Sequence, residues 1–216
     1  DPNNPTGSCI SEALLVKILQ TCHECGIRCV LDACYADLTP YESCSDQVSE
    51  TAHNSITLAD ARSDRIPEVT CCDLTQDDAP CDWAQASLLH DLCRYLTSYP
   101  TLVILGAFTK TYAMPGLRLG YLISADTAFL EEAAEHLEEW SVSLPAQEAG
   151  LAALKDKAYL PRARRVVYKE RAFLTEKMQA LGLKVYPGDA NFVFFASVKE
   201  LCEPLADSGI LIRDCS

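Results

Sequence analysis

The sequence predicts an α/β fold with a mostly parallel sheet, followed by a small α+β unit. Three observations predict it. Two short apolar runs, residues 27–31 and 102–105, each follow a segment of helical period that ends at Gly26 or Pro100. Polar residues able to do chemistry fall just past those runs, where open α/β sheets bind their ligands. Beyond about residue 130 the pattern changes to long helices separated by brief strands.

In order along the chain, residues 8–25 begin with Ser8 and Ser11 as candidate caps and set Leu14, Leu15, Ile18, Leu19 and Cys22 at helical spacing. Gly26 ends that helix, residues 27–31 form a buried strand, and Asp32 follows at its C-terminal end. From about 42 to 85 the pattern dissolves into Asp, Ser, Thr, Pro and Cys, as a long excursion or a small subdomain. Residues 87–99 read as an amphipathic helix, 102–105 as a second apolar strand with Lys110 just past its end, and 116–123 as a third strand that includes Arg118. Then come an acidic helix at 129–140, a helix from Pro145 to 154, and a long helix at 161–181 that stops near Gly182. Strands at 183–186, 192–196 and 210–213, with a helix near 198–206, complete the chain. The boundary falls between about 124 and 145, dividing the chain into 1–130 and 131–216.

The 216 residues, 49% of them hydrophobic, suffice for a sizeable core. A net charge of −13 provides no basic field for nucleic acid or an anionic membrane, so neither is an expected partner. No apolar run reaches the roughly 18 residues needed to span a bilayer, and the first residues lack a secretory pattern, so a cytoplasmic protein is expected. The 12 cysteines are spread too widely for a disulfide scaffold. Cys22 and Cys25 close a helix, where a redox pair gains no thiolate stability. His53, Cys71, Cys72 and Cys81 are the alternative, a zinc set, but their spacing matches structural zinc poorly, and no metal is expected.

The polar groups at the strand ends make up a set. Lys110 can form a Schiff base with an aldehyde cofactor, and Arg118, eight residues on, offers a fork to a phosphate, with the Thr109 hydroxyl beside it. Asp32 can keep a pyridine nitrogen protonated, the state in which that ring accepts electrons. The Tyr35 phenol and the Asn4 amide can bond a ring hydroxyl. Together these residues point to pyridoxal phosphate, with Lys110, Asp32 and Tyr35 as the catalytic group.

The motifs Asp-Pro-Asn-Asn-Pro-Thr-Gly (1–7), Leu-Asp-Ala-Cys-Tyr (31–35) and Phe-Thr-Lys-Thr-Tyr-Ala-Met-Pro-Gly-Leu-Arg-Leu-Gly-Tyr (108–121) resemble those of fold-type I pyridoxal-phosphate enzymes of the class I/II aminotransferase family. Met-Pro-Gly-Leu-Arg (114–118), Trp-Ser-Val-Ser (140–143), Tyr-Pro-Gly-Asp-Ala-Asn-Phe (186–192) and Ile-Leu-Ile-Arg (210–213) carry a narrower likeness, to threonine-phosphate decarboxylases of cobalamin synthesis and histidinol-phosphate aminotransferases. The resemblance covers nearly all of the chain outside 42–85. It implies that Asn4 and Tyr35 meet O3′ of the cofactor, Asp32 the ring nitrogen, Lys110 the aldehyde and Arg118 the phosphate, while Asn191 and Arg213 face a substrate. It implies transamination, or decarboxylation of threonine phosphate, on a small and phosphorylated amino acid or amine, in a homodimer. A cofactor-binding regulatory domain without turnover is the alternative. Ala107 stands where relatives often carry a hydroxyl for the phosphate. The family's upstream Gly/Ser phosphate loop and downstream carboxylate-binding arginine are missing, so the chain reads as an inactive interior fragment of a longer enzyme. The stretch 42–85 is longer than its counterpart in relatives.

Overall fold

Ser11 opens the first helix by accepting from the Leu14 amide at 3.4 Å, and α1 runs Glu12–Glu24. Gly26, at φ +65°, turns the chain out of it, and β1, Cys29–Asp32, follows. The computed structural model describes residues 2–39 and 88–215; the stretch 42–85, with His53, Cys71, Cys72 and Cys81, lies outside them. Next come α2 (Leu88–Cys93), β2 (Leu102–Ala107), the one-turn α3 (Phe108–Thr111) and β3 (Gly120–Ser124). The rest is α4 (Thr127–Glu135), α5 (Leu144–Lys155), α6 (Tyr159–Ala180), β4 (Lys184–Val185), β5 (Phe195–Ala196) and α7 (Cys202–Asp207).

The three-stranded sheet has the order β1-β2-β3. β1 lies parallel to β2, with Asp32 opposite Leu105, and β3 runs antiparallel to β2, with Gly120 opposite Ala107. A separate antiparallel pair joins β4 and β5. The core forms where Leu15 and Leu19 of α1 and Leu92 and Leu96, in and after α2, meet Leu102, Ile104 and Ile123 of the sheet. Leu19, Leu102, Val103 and Ile104 are almost completely buried, and each such aliphatic side chain contributes roughly 1.5–3 kcal/mol.

Several expectations need correction. β1 starts two residues late and alternates, so Val30 is exposed and only Cys29 and Leu31 pack toward the core. Leu14 and Ile18 of α1 are exposed as well, so its apolar stripe is wider than the surface it covers among the described residues. Residues 116–119 are not strand. Pro115–Leu117 form a 3-10 turn that ends with Arg118 in the left-handed region at φ 55°, and pairing begins only at Gly120. The helix at 87–99 stops at Cys93, and residues 210–213 form no strand. Trp140 lies past the end of α4, with φ 62° and 91% exposure.

Among the described residues no helix is long and apolar enough to cross a membrane, and all eight described cysteines are free thiols.

Candidate functional site

The site begins where β1 ends. Asp32 is its last residue, and the chain turns at once so that the Cys34 amide donates to Asp32 Oδ1 at 2.9 Å. Burial alone would raise the Asp32 carboxyl, but the Cys34 thiol and amide that bond it prevail and hold it below the ordinary carboxylate value. The same bond, after burial, pushes the Cys34 thiol up to about 11, so it stays protonated and donates. Tyr35 then caps the 3-10 turn Ala36–Leu38, whose Ala36 and Leu38 are buried and anchor it. The Tyr35 ring meets Phe192 edge-on, with centroids 5.6 Å apart, and its hydroxyl accepts from Asn4 Nδ2 at 3.2 Å.

Lys110 reaches this group from the neighbouring strand. Because β1 and β2 are parallel, their C-terminal ends lie side by side, and α3 turns the chain over them immediately after Ala107. Phe108 is buried under Tyr121 at 6.0 Å and stacks on Tyr112 at 5.1 Å, which leaves Lys110 on the exposed side of the turn. Its Nζ stands 5.5 Å from the centre of the Tyr35 ring. Arg213 arrives from the far end of the chain, and its Nη1 donates to Asn4 Oδ1 at 3.2 Å. One cluster thus unites Asn4, Tyr35, Lys110 and Arg213, with Asp32 three residues before Tyr35. Two cations within reach of a phenol and an amide favour an anionic ligand.

Other expected residues lie around this cluster. Thr109 is half-buried beside Lys110 in α3. Arg118 is exposed, and its Nη1 donates back to the Pro115 carbonyl at 3.1 Å; no hydrogen bond joins it to Asp32, Tyr35 or Lys110 among the described residues. Asn191 immediately precedes Phe192, in a loop held to the N-terminal loop by the Asp189 amide donating to the Gly7 carbonyl at 2.6 Å. Phe192 itself had no sequence signal beyond its place in the motif at 186–192, since an aromatic there reads as core. Asp37 was also missed, as an acidic residue in a polar turn. A cavity of about 500 Å³, lined by Cys9, Arg171, Tyr186 and Asp189 among others, includes none of the candidate site residues. Among the described residues no group of three or more His, Cys, Asp or Glu side chains could hold a metal ion.

The family model for aminotransferase class I and II matches residues 1–216. A histidinol-phosphate aminotransferase of Nitratidesulfovibrio vulgaris (strain DP4) is 36% identical over 149 residues, which is 66% of this chain and 39% of that protein. The threonine-phosphate decarboxylase of Salmonella typhimurium (strain LT2) is 30% identical over 219 residues, covering 100% of this chain and 47% of that protein. The crystal structure of the histidinol-phosphate aminotransferase from Clostridium acetobutylicum superposes with a TM-score of 0.70 at 23% identity, over 100% of this chain and 52% of that one, and shows the same fold. The chain therefore spans about half the length of the relatives it matches, or less. That family depends on pyridoxal phosphate, and the donor set here fits the cofactor. A charged carboxylate suits its ring nitrogen, a bonded phenol and amide its ring hydroxyl and an amine its aldehyde. Matched over its whole length, the chain belongs to the class I and II aminotransferase family of fold-type I enzymes.

Proposed function

We propose that these residues form a pyridoxal-phosphate site in an enzyme that acts on a small, phosphorylated amino acid or amine. The observation that carries the reading is Lys110 Nζ above the Tyr35 ring, with Asn4 bonded to the Tyr35 hydroxyl. When bound, the cofactor supplies an aldehyde for amines and a ring that takes up electrons from a breaking bond. Lys110 Nζ would hold that aldehyde and, when free of it, would act at the substrate's Cα, as the base that takes its proton in transamination or as the acid that returns one there after carbon dioxide leaves. Asp32, whose carboxyl Cys34 holds below the ordinary value, would keep the proton on the ring nitrogen. Tyr35 and Asn4 bond O3′. Arg118 and Thr109 hold the phosphate, which requires the Arg118 fork to leave the Pro115 carbonyl. Asn191 and Arg213 face the substrate, and the bond from Arg213 to Asn4 supports this by setting a cation beside the cofactor contacts.

Residues 1–130 form the cofactor-holding unit and 131–216 the smaller unit that presents Asn191 and Arg213. As the family resemblance implies, the working form is a homodimer, which sedimentation velocity tests. The residues that clamp the substrate's anionic groups would set its orientation at the cofactor, and so decide between transamination and decarboxylation. Decarboxylation of threonine phosphate is favoured by the similarity to the Salmonella decarboxylase along the whole of this chain.

Titration of the full-length protein with pyridoxal phosphate tests the cofactor reading. A visible absorption band is expected that disappears in Lys110→Ala, and a band unchanged by that substitution would sink the assignment. For the reaction, threonine phosphate should release carbon dioxide without converting the cofactor to its amino form. Accumulation of that form with histidinol phosphate or glutamate decides for transamination, and binding without either reaction decides for a regulatory role.

A further inference from the structure

Helix α6 touches three of the segments that make up the candidate site. At its start Tyr159 stacks on Tyr112, with centroids 5.3 Å apart and planes 26° apart, and so grips the segment that carries Lys110. Further along, Arg164 Nε donates to the backbone carbonyl of Asp37 at 2.6 Å, two residues after Tyr35. Further still, Arg171 Nη1 donates to the carbonyls of Ala190 and Phe192 at 2.5 and 2.9 Å, on either side of Asn191.

The first two of these segments also meet each other, at Asp37. Asp37 is half-buried, and the Thr111 hydroxyl and the Arg164 guanidinium are the groups near enough to its carboxylate to favour the charged form. Thr111 is itself buried and is the residue after Lys110. Burial outweighs both partners and raises the Asp37 carboxyl, and burial also lowers Arg164. Charged groups desolvated near one another in this way stabilise a fold little, since desolvation offsets most of their attraction, and fixing one arrangement over others is their better-attested use. The path from the Arg164 hydrogen bond on the Asp37 carbonyl, through the Asp37 carboxylate to the neighbouring Thr111, ends one residue from Lys110.

We propose that Asp37 and Arg164, acting through Thr111, are positioning residues that set the place of Lys110 relative to Tyr35. The proposal rests on the reading of Lys110 and Tyr35 as cofactor contacts. Neither Asp37 nor Arg164 touches a reacting atom; they hold the two turns that do. A shift of about 1 Å at such a centre costs on the order of a hundredfold in rate, so a tether this close to the lysine carries weight out of proportion to its contribution to stability.

The test uses the full-length protein and the variants Thr111→Val, Arg164→Met and Arg164→Lys. Hydrogen exchange is first measured without cofactor. In Thr111→Val and Arg164→Met, exchange in peptides covering 35–39 and 108–113 is expected to accelerate by about tenfold while α1 is unchanged, with partial recovery in Arg164→Lys. With pyridoxal phosphate added, the pH midpoint of the visible band is expected to move by about half a pH unit or more. The kcat is expected to fall by roughly tenfold to a hundredfold with KM nearly unchanged. Exchange that rises equally in α1, or a midpoint and kcat equal to those of the unsubstituted protein, overturns the proposal. If the unsubstituted protein shows no visible band, the cofactor reading falls instead, and local exchange alone decides whether the network places the Lys110 segment. Should Arg164→Met fail to fold, the same measurements on Thr111→Val, which keeps the volume and removes one hydroxyl, decide the matter.

Discussion

The turn that follows Asp32 holds its carboxyl further below the physiological range than it would otherwise lie. The amide and thiol of Cys34 outweigh burial and lower the carboxyl's pKa below its usual 3.8. For a group depressed in the folded state, the favourable interaction is fully present above the ordinary value and is lost only as pH falls through the lower folded one. Asp32 therefore stays charged between about pH 5 and 8, and any change of cofactor affinity in that window must come from other groups. Asp32→Asn retains the shape and the Cys34 amide's partner but removes the charge. Its turnover is expected to drop by about a hundredfold or more, and its cofactor affinity by roughly tenfold, measured by steady-state kinetics and titration of the visible band; rates like those of the unsubstituted protein would show that Asp32 does not face the ring nitrogen. The placement of Asp32, Tyr35 and Lys110 past the strand ends was legible in the sequence because each follows an apolar run whose end fixes its place. Arg213 and Asn4 are 209 residues apart, and their hydrogen bond follows from tertiary packing that no local pattern encodes. Arg118 was misread because apolar alternation outweighed the Pro-Gly turn that puts it at φ 55°.

At the scale of elements, the strands that set the site depend on one close approach. Gly106 of β2 pairs with Tyr121 of β3, and a Cβ at Gly106 would come within 2.1 Å of the Tyr121 ring. The ring is partly buried against the core, its phenol is desolvated enough to drive its pKa far upward, and it packs on Phe108 at the start of α3, so it has little room to move. Gly106→Ala is expected to destabilise by about 1–3 kcal/mol in urea unfolding. Combined with Tyr121→Leu, its cost should deviate from the sum of the single variants by more than about 0.5 kcal/mol; strict additivity would mean that the glycine is not there to admit the ring. Helix α5 offers a simpler case. Ser143 caps it by accepting from the Ala146 amide at 3.4 Å, and Ser143→Ala should cost about 0.5–1 kcal/mol by the same measurement. Caps of this kind were readable, as Ser11 before α1 shows. The widths of apolar stripes were not, because period alone does not say how much partner surface is present. Leu15 and Leu19 are buried, whereas Leu14 and Ile18 at the same spacing are not.

Across the whole molecule, the site depends on two loops at opposite ends of the chain locking together. Residues 3–8 turn on hydrogen bonds from the Asn3 amide to the Ser8 carbonyl and from the Gly7 amide to the Asn3 carbonyl, at 2.9 and 2.6 Å. The loop before β5 lies against this turn. A Cβ on Gly188 would stand 2.8 Å from the Thr6 carbonyl oxygen and 3.0 Å from the Gly7 carbonyl carbon, and backbone atoms cannot swing aside as a side-chain tip does. Gly188→Ala must therefore separate the loops and lengthen the bond from the Asp189 amide to the Gly7 carbonyl. Asn4, three residues before Gly7, would carry that displacement to the Tyr35 hydroxyl and to Arg213. Gly116 provides the control: it lies in the turn between Lys110 and Arg118, and nothing stands within 4 Å of a Cβ built there. Cofactor affinity should fall by about tenfold in Gly188→Ala, equivalent to roughly 1.4 kcal/mol, and hold in Gly116→Ala. Were Gly188→Ala to bind the cofactor as tightly as the unsubstituted protein, Asn4 could not be the contact assigned to it, because its position is inherited from the loop that this substitution displaces.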